Sequence, residues 1–149
     1  MPALLRGARD TYRREIKRSL LAGGFTDLPR NGAFVLGGMA NLGVPLYRLV
    51  RQLGVTKQAA SQLIDTLVER GYLERVTDPS DRRRISVRPT ERGKQAARRV
   101  RAGVVSIDTE LEKRLPQADL EKLRTGLITL VDLGYERLRD ERSRSRVSK

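Results

Sequence analysis

The residues whose types and spacing could recognise another molecule are concentrated between Pro45 and Thr90. In the stretch TKQAASQLIDTLVE, amides and hydroxyls occupy the first two turns of a predicted helix, and carboxylates come only later. Amide side chains can bond base edges in the major groove of DNA, whereas phosphates repel carboxylates. The candidate DNA contacts are Thr56, Lys57, Gln58, Ser61 and Gln62. The alternative is that these side chains form an ordinary solvated helix face.

A second group of candidate residues follows a predicted turn. The sequence DPSD at positions 78–81 favours a turn because proline presets its own φ angle, and three consecutive arginines come next. Neighbouring guanidinium groups repel one another unless an anion such as a phosphate lies between them. The candidate residues are Asp81, Arg82, Arg83 and Arg84. The alternative is a surface ion pair of Asp81 with these arginines, which would have little energetic effect.

No group of side chains in the sequence is suited to catalysis or to metal binding. Cys and His are absent, which removes thiol chemistry, the commonest general base and the commonest metal ligand. The acidic residues are scattered, and Thr26 and Asp27 are expected to be solvated surface. The sequence therefore predicts a protein that is not an enzyme and that binds no cofactor or metal.

Two short amphipathic helices and a hairpin are predicted to position the candidate residues. Gly54 can adopt the left-handed conformation that ends the first helix, which Pro45 is expected to open as its first residue. Thr56 can cap the second helix, whose apolar face contains Ala60, Leu63, Ile64, Leu67 and Val68. Gly71 ends it, and residues 72–76 and 85–88 alternate as two strands. This order predicts a winged helix-turn-helix.

Composition and charge favour a polyanionic partner. The chain has 149 residues, enough for one domain, and 31 basic against 18 acidic side chains give a net charge of +13. Most of the basic residues are arginines, whose planar forks fit phosphates and guanine edges. Aromatic residues make up only 4%, which argues against single-stranded nucleic acid because it is usually held by aromatic stacking. No membrane-spanning run or secretory signal is evident, so a cytoplasmic location is expected.

The remaining sequence predicts four more helices, at about residues 2–21, 32–42, 90–115 and 117–138. The first and the last two carry apolar stripes without an evident partner, which predicts that they pack against a second copy of the chain. In the helix at 32–42, Gly37 and Gly38 indicate either close packing by another helix, which is favoured, or a ligand cleft. The Ser- and Arg-rich tail at 139–149 is expected to be frayed or disordered.

From about Val44 to Gly93 the sequence resembles the MarR family of bacterial transcriptional regulators. The segment LGVTKQAASQLIDTLVERGYLERV is similar to the family's recognition-helix segment, and DPSDRRR followed by TERG is similar to its wing and the start of the next helix. Pro89 departs from the pattern, since the family usually has leucine there. The resemblance implies a mainly α fold with a small β-hairpin wing in a single domain, 1–149. Its dimerisation helices would be in 1–30 and 93–138, its DNA-binding lobe in 31–92 and a basic tail in 139–149.

The resemblance also implies partners. It implies a homodimer that binds a pseudo-palindromic operator in double-stranded DNA, with a wing arginine in the minor groove and Asp81 holding it. It further implies a repressor that a small aromatic or anionic effector releases by binding beside Tyr12, Phe34, Met39 and Tyr47. From the residues alone, core packing is favoured for those four side chains. The alternative function is a winged-helix interaction module that engages an acidic protein, which the uncharged amides of the second helix disfavour.

Overall fold

The computed structural model describes residues 1–77 and 85–147 and confirms a mainly α fold with a two-stranded antiparallel hairpin. The elements are α1 (Pro2–Ala22), α2 (Gly32–Leu42), α3 (Leu46–Leu53), α4 (Lys57–Glu69), β1 (Leu73–Thr77), β2 (Ile85–Pro89), α5 (Glu91–Glu112) and α6 (Gln117–Val147). The chain divides into two compact units, Met1–Ile107 and Asp108–Lys149. No helix among the described residues combines the length and apolarity needed to cross a membrane.

The turn between α3 and α4 is built from local signals. Gly54 has φ = 63°, in the left-handed region, and the hydroxyl of Thr56 accepts a 3.2 Å hydrogen bond from the amide of Ala59. Both predictions are confirmed. The expectation for Pro45 was wrong by one position: with ψ = 138° it is extended and precedes the first helical residue, although its carbonyl still accepts from the amides of the first turn.

The core of the first unit is centred on α2. Val35 and Leu36 are fully buried and pack with Leu67 of α4, Tyr72 at the start of the hairpin and Val100 of α5. This packing fixes the second helix of the helix-turn-helix against the rest of the unit.

Glycines in α2 allow neighbouring helices to approach closely. A side chain at Gly38 would overlap that of Leu49 in α3, and a Cβ at Gly37 would lie 3.2 Å from Cγ1 of Val100 in α5. Close packing, the favoured interpretation of this glycine pair, is therefore confirmed.

Helices α1 and α5 pack against each other within the chain. A Cβ on Gly103 would lie 2.7 Å from the Cα atom of Ile16, and the hydroxyl of Ser19 donates a 2.8 Å hydrogen bond to the carbonyl of Arg99. Leu20 is buried with the core. The expectation that these two helices lack partners within the chain is therefore wrong over this stretch, because Gly103 removes the side chain that would hold them apart.

The hairpin connects α4 to α5, and hydrogen bonds of Thr90 hold the two ends of this connection together. Leu73 pairs with Pro89 at one end of the ladder, and Thr77 pairs with Ile85 at the other. The hydroxyl of Thr90 donates to the carbonyl of Gly71 at 2.5 Å and accepts from the amide of Gly93 at 3.0 Å, so Thr90 caps α5 as predicted. The helix that it caps ends at Glu112, three residues before the predicted end.

The second unit contains the long helix α6. This helix continues to Val147, so the expectation of a frayed tail was wrong as far as that residue. After Gly134 the sequence has no glycine or proline, and its leucine, arginine and glutamate residues favour helix. The helix exposes a series of large apolar side chains: Leu123, Leu127, Ile128, Leu130, Val131, Leu133 and Tyr135.

Candidate nucleic-acid interface

Helix α4 presents the predicted contact residues on one exposed face. Ala60 and Leu67 are buried on its opposite face, which fixes the orientation of the helix. The five predicted DNA contacts lie together at the N-terminal end of α4, and all are exposed: Thr56, Lys57, Gln58, Ser61 and Gln62. A helix of this kind, with its N-terminal polar side chains free of the core, can enter a major groove.

The carboxylates of α4 lie towards its other end. Asp65 accepts a hydrogen bond from Arg75 of β1, which forms an ion pair between the helix and the first strand of the hairpin. Across the ladder, Glu74 pairs with Arg88 at 2.7 Å. These pairs are exposed, so they add little to the free energy of unfolding. Their effect is to neutralise the negative charge of the carboxylates near the candidate interface.

The predicted tip residues Asp81, Arg82, Arg83 and Arg84 lie outside the described residues. The strands on either side of them are described, and Thr77 and Ile85 are direct partners in the ladder. The assignment of these four residues as DNA contacts stays a prediction.

One polar cluster in the first unit was not predicted from the sequence. Asp27 was expected to be solvated surface, and its side chain is 40% exposed, but its carboxylate also accepts a 2.5 Å hydrogen bond from the hydroxyl of Tyr72 and bonds of 2.9 and 3.1 Å from Arg92. Its backbone carbonyl accepts from the guanidinium of Arg70, at the end of α4. Arg92 also donates to the carbonyl of Arg70 at 2.9 Å and lies 4.5 Å from the centre of the Tyr72 ring. We call these four residues the Asp27 cluster.

The electrostatics of the Asp27 cluster favour an ionised carboxylate. The hydrogen bond from Tyr72 lowers the pKa of Asp27, and the charge of Arg92 lowers it further. Burial raises the pKa of Tyr72, and its bond to Asp27 acts in the same direction. No local pattern could have revealed this cluster, because its contacts join residues that are 43 and 65 positions apart.

Comparison with known proteins supports the interpretation of this segment. A family model described as the MarR family matches residues 26–84. The resemblance to the MarR family is confirmed. The MarR match includes Asp27, the whole of α4 and the predicted arginine tip, whereas all of α1, α5 and α6 lie outside it. None of the curated proteins matches the chain.

Several solved structures have the same winged-helix fold. The transcriptional regulator PA4135 is 22% identical, with 89% of this chain and 96% of that chain covered and a TM-score of 0.63. Streptococcus pneumoniae FabT in complex with DNA is 17% identical, with 90% and 93% covered and a TM-score of 0.71. S. aureus MepR is also 17% identical. Its DNA complex has 89% and 96% covered and a TM-score of 0.69, and its ethidium bromide complex has 89% and 94% covered and a TM-score of 0.56.

The four candidate ligand residues lie on three helices of this MarR-like chain. Met39 packs against the core, as favoured from the sequence, and Tyr12 is half-buried. Core packing was the wrong expectation for Phe34 and Tyr47, which are 43% and 60% exposed. The ring of Tyr47 lies 6.0 Å from the guanidinium carbon of Arg48, which also donates to its hydroxyl at 3.2 Å. A ligand pocket at these residues stays a prediction.

Proposed function

We propose that this DNA-binding transcriptional regulator is a repressor that binds a pseudo-palindromic operator as a homodimer and is released by a small-molecule ligand. The observation that carries the proposal is the exposed amide and hydroxyl face at the start of α4, on a helix whose opposite face is buried. Repression then requires only that the protein occupies an operator overlapping a promoter.

The side chains on α4 suit direct readout of bases. Gln58 and Gln62 are separated by one helical turn, so their amides project from the same face of the helix. An amide can bond an adenine edge bidentately, and a good pair of this kind contributes about 1 to 3 kcal/mol of discrimination against the wrong base. Lys57 adds a charge for a nearby phosphate.

The proposed wing contacts would add affinity rather than sequence readout. We assign one of the three tip arginines to the minor groove, with Arg83 as first choice and Arg82 as second, and Asp81 to holding it. A basic side chain at this site is favoured by the negative potential of a narrow minor groove.

The proposed homodimer rests on the apolar side chains of α6. Ile128 and Val131 are 61% and 55% exposed within this chain, and large contiguous apolar patches of soluble proteins usually mark interaction sites. A second copy related by two-fold symmetry would cover them. The operator is proposed to be pseudo-palindromic because a two-fold dimer reads two half-sites with its two α4 helices, roughly 34 Å or one turn of DNA apart.

The proposed effector is a small aromatic or anionic molecule. MepR is similar in fold and has a solved structure bound to ethidium bromide, a planar aromatic cation. The exposed rings of Phe34 and Tyr47 could stack on such a ligand. The ligand would release DNA only if it binds the DNA-incompetent arrangement of the dimer more tightly than the competent one.

Binding to the DNA upstream of the protein's own gene tests the proposal. Fluorescence anisotropy with a labelled duplex should give saturable binding that survives excess unlabelled random duplex. The Gln62→Ala variant should lose much of the preference for operator over random duplex, while its affinity for random DNA stays unchanged. If the wild-type protein binds operator, random duplex and polyglutamate equally well, the interaction module for an acidic partner becomes the better description.

A further inference from the structure

The Asp27 cluster ties the connection between α1 and α2 to two parts of the DNA-binding lobe that are distant from it in sequence. Asp27 lies in the connection between α1 and α2, Arg70 caps the end of α4, Tyr72 immediately precedes β1, and Arg92 is in the first turn of α5. The connection thus contacts both the end of the candidate recognition helix and the base of the hairpin.

The contacts of Asp27 restrain orientation because they come from several directions. Arg92 reaches both oxygens of the carboxylate, and Tyr72 donates to one of them. Arg70 binds the backbone carbonyl of the same residue, and its own carbonyl accepts from Arg92. A group held by several bonds in different directions cannot rotate without breaking at least one of them, so the end of α4 and the start of β1 are held in a fixed relation.

The cluster is too exposed to be explained by stability alone. The side chains of Arg92 and Asp27 are 45% and 40% exposed, and exposed ion pairs contribute little to the free energy of unfolding. The segment is already anchored in the apolar core, because Tyr72 and Leu73 are fully buried. What the polar contacts add is a defined angle between two elements that must both meet DNA.

We propose that Asp27 is a positioning residue for DNA binding, which holds the end of α4 and the base of the hairpin in the relative orientation that the duplex requires. This inference rests on the proposed function. Asp27 itself is a carboxylate and is not expected to touch DNA. It acts through Arg92, Tyr72 and Arg70.

A charge-matched pair of variants separates this role from simple electrostatics. Asp27→Asn and Asp10→Asn each remove one carboxylate and raise the net charge by one, a change that by itself strengthens DNA binding. Asp10 pairs with Arg13 at 3.5 Å on α1 and has no contact with the Asp27 cluster in the described residues. Affinity for the operator duplex is measured at 20 °C by fluorescence anisotropy, with circular dichroism on the same samples to verify that they are folded.

Asp27→Asn is expected to weaken operator binding by about 2- to 30-fold, the range typical of residues that couple two sites without contacting the ligand. Asp10→Asn is expected to bind as tightly as wild type or slightly more tightly. Tyr72→Phe keeps the buried ring but loses the hydroxyl, and it should also weaken binding to the operator duplex. The double variant Asp27→Asn/Tyr72→Phe should lose less than the sum of the two single effects, because both substitutions remove the same hydrogen bond.

Equal affinity of folded Asp27→Asn and Asp10→Asn would overturn the inference and leave the proposed function intact. If Asp27→Asn does not fold at 20 °C, Tyr72→Phe decides: unchanged affinity overturns the inference, and weakened affinity supports it. Failure of the wild-type protein to bind any duplex would overturn the proposed function itself.

Discussion

Asp27 illustrates how surroundings decide what a residue does. In the sequence it is one acidic side chain between Thr26 and Leu28, without a neighbour of opposite charge. In the folded chain it accepts hydrogen bonds from a tyrosine and two arginines. Its charge therefore has a partner only when the protein is folded, and this makes stability depend on pH.

The first prediction concerns that pH dependence. The pKa of Asp27 is lowered in the folded protein from its ordinary value of 3.8, first by the bond from Tyr72 and then by the charge of Arg92. The unfolded chain therefore binds a proton more readily, so the stabilisation is present above about pH 4 and is lost as the pH falls through the lowered value. Asp27→Asn should reduce the free energy of unfolding at pH 7 by about 0.2 to 1 kcal/mol, as expected for an exposed pair.

Urea unfolding of wild type and Asp27→Asn at pH 7 and at pH 3 measures this difference. It should be smaller at pH 3, because the carboxyl of the unfolded chain, with its ordinary pKa of 3.8, is then mostly protonated. A difference that stays constant or grows between pH 7 and pH 3 would contradict the prediction.

At the scale of elements, close approach of helices and strands decides the architecture. The N-terminus of α5 lies so near the start of β1 that a side chain at Gly93 would overlap the carbonyl oxygen of Tyr72. A backbone atom cannot move aside as a flexible side chain can. Gly93 therefore belongs to the joint between the hairpin and α5, together with Thr90.

The second prediction tests this joint. Gly93→Ala should lower the free energy of unfolding by about 1 to 3 kcal/mol, because overpacking forces the backbone to shift. Gly7→Ala is the matched control, since a Cβ there meets nothing within 4 Å and alanine favours helix by up to about 1 kcal/mol. Thermal unfolding of both variants gives the comparison. If Gly93→Ala were as stable as wild type, the close contact with Tyr72 would not restrict position 93 to glycine.

The third prediction separates the roles of α4 and the wing. Gln58→Ala or Gln62→Ala should reduce discrimination between operator and random duplex by about 1 to 3 kcal/mol for each bidentate pair removed, with little change in affinity for random DNA. Arg83→Ala should weaken binding to both duplexes and flatten the salt dependence by roughly one unit for each phosphate that the protein no longer neutralises. Titrations at several salt concentrations distinguish the two patterns.

The wing assignment has its own decisive comparison. If Arg83→Ala keeps the affinity and salt slope of wild type while Arg82→Ala does not, the minor-groove residue is Arg82. If neither changes binding, the hairpin is not a DNA-contacting element.

At the scale of the whole molecule, the main question is what covers the large apolar side chains that α6 exposes. Apolar surface exposed to water is unfavourable, so the series from Leu123 to Tyr135 favours burial against a partner. The fourth prediction is that the wild-type protein is a dimer and that Leu127→Glu yields monomers or aggregates, because a dimer interface would bury an unpaired charge.

Light scattering at micromolar concentration measures the mass of each variant. Thr125→Glu is the control, because residue 125 lies on nearly the opposite side of the helix from residue 127. A wild-type mass near 16.8 kDa, that of one chain, would exclude the dimer.

The helix-turn-helix could be predicted from the amino-acid sequence, because its boundaries depend on interactions that span only a few residues. Gly54 ends α3 with its own backbone conformation, Thr56 caps α4 three residues further on, and Thr90 caps α5 in the same way. The polar face of α4 followed from helical periodicity alone, once the start of the helix was known.

Which distant residues meet could not be predicted from local sequence patterns. The Asp27 cluster, the contact of Gly38 with Leu49 and the packing of Gly103 on Ile16 join segments that no local spacing relates. The same holds for the exposure of Phe34 and Tyr47, whose apolar character favoured the core. Local propensity acts over a turn of helix, whereas these contacts depend on the way whole elements pack, and packing is determined by all of the side chains that share the core.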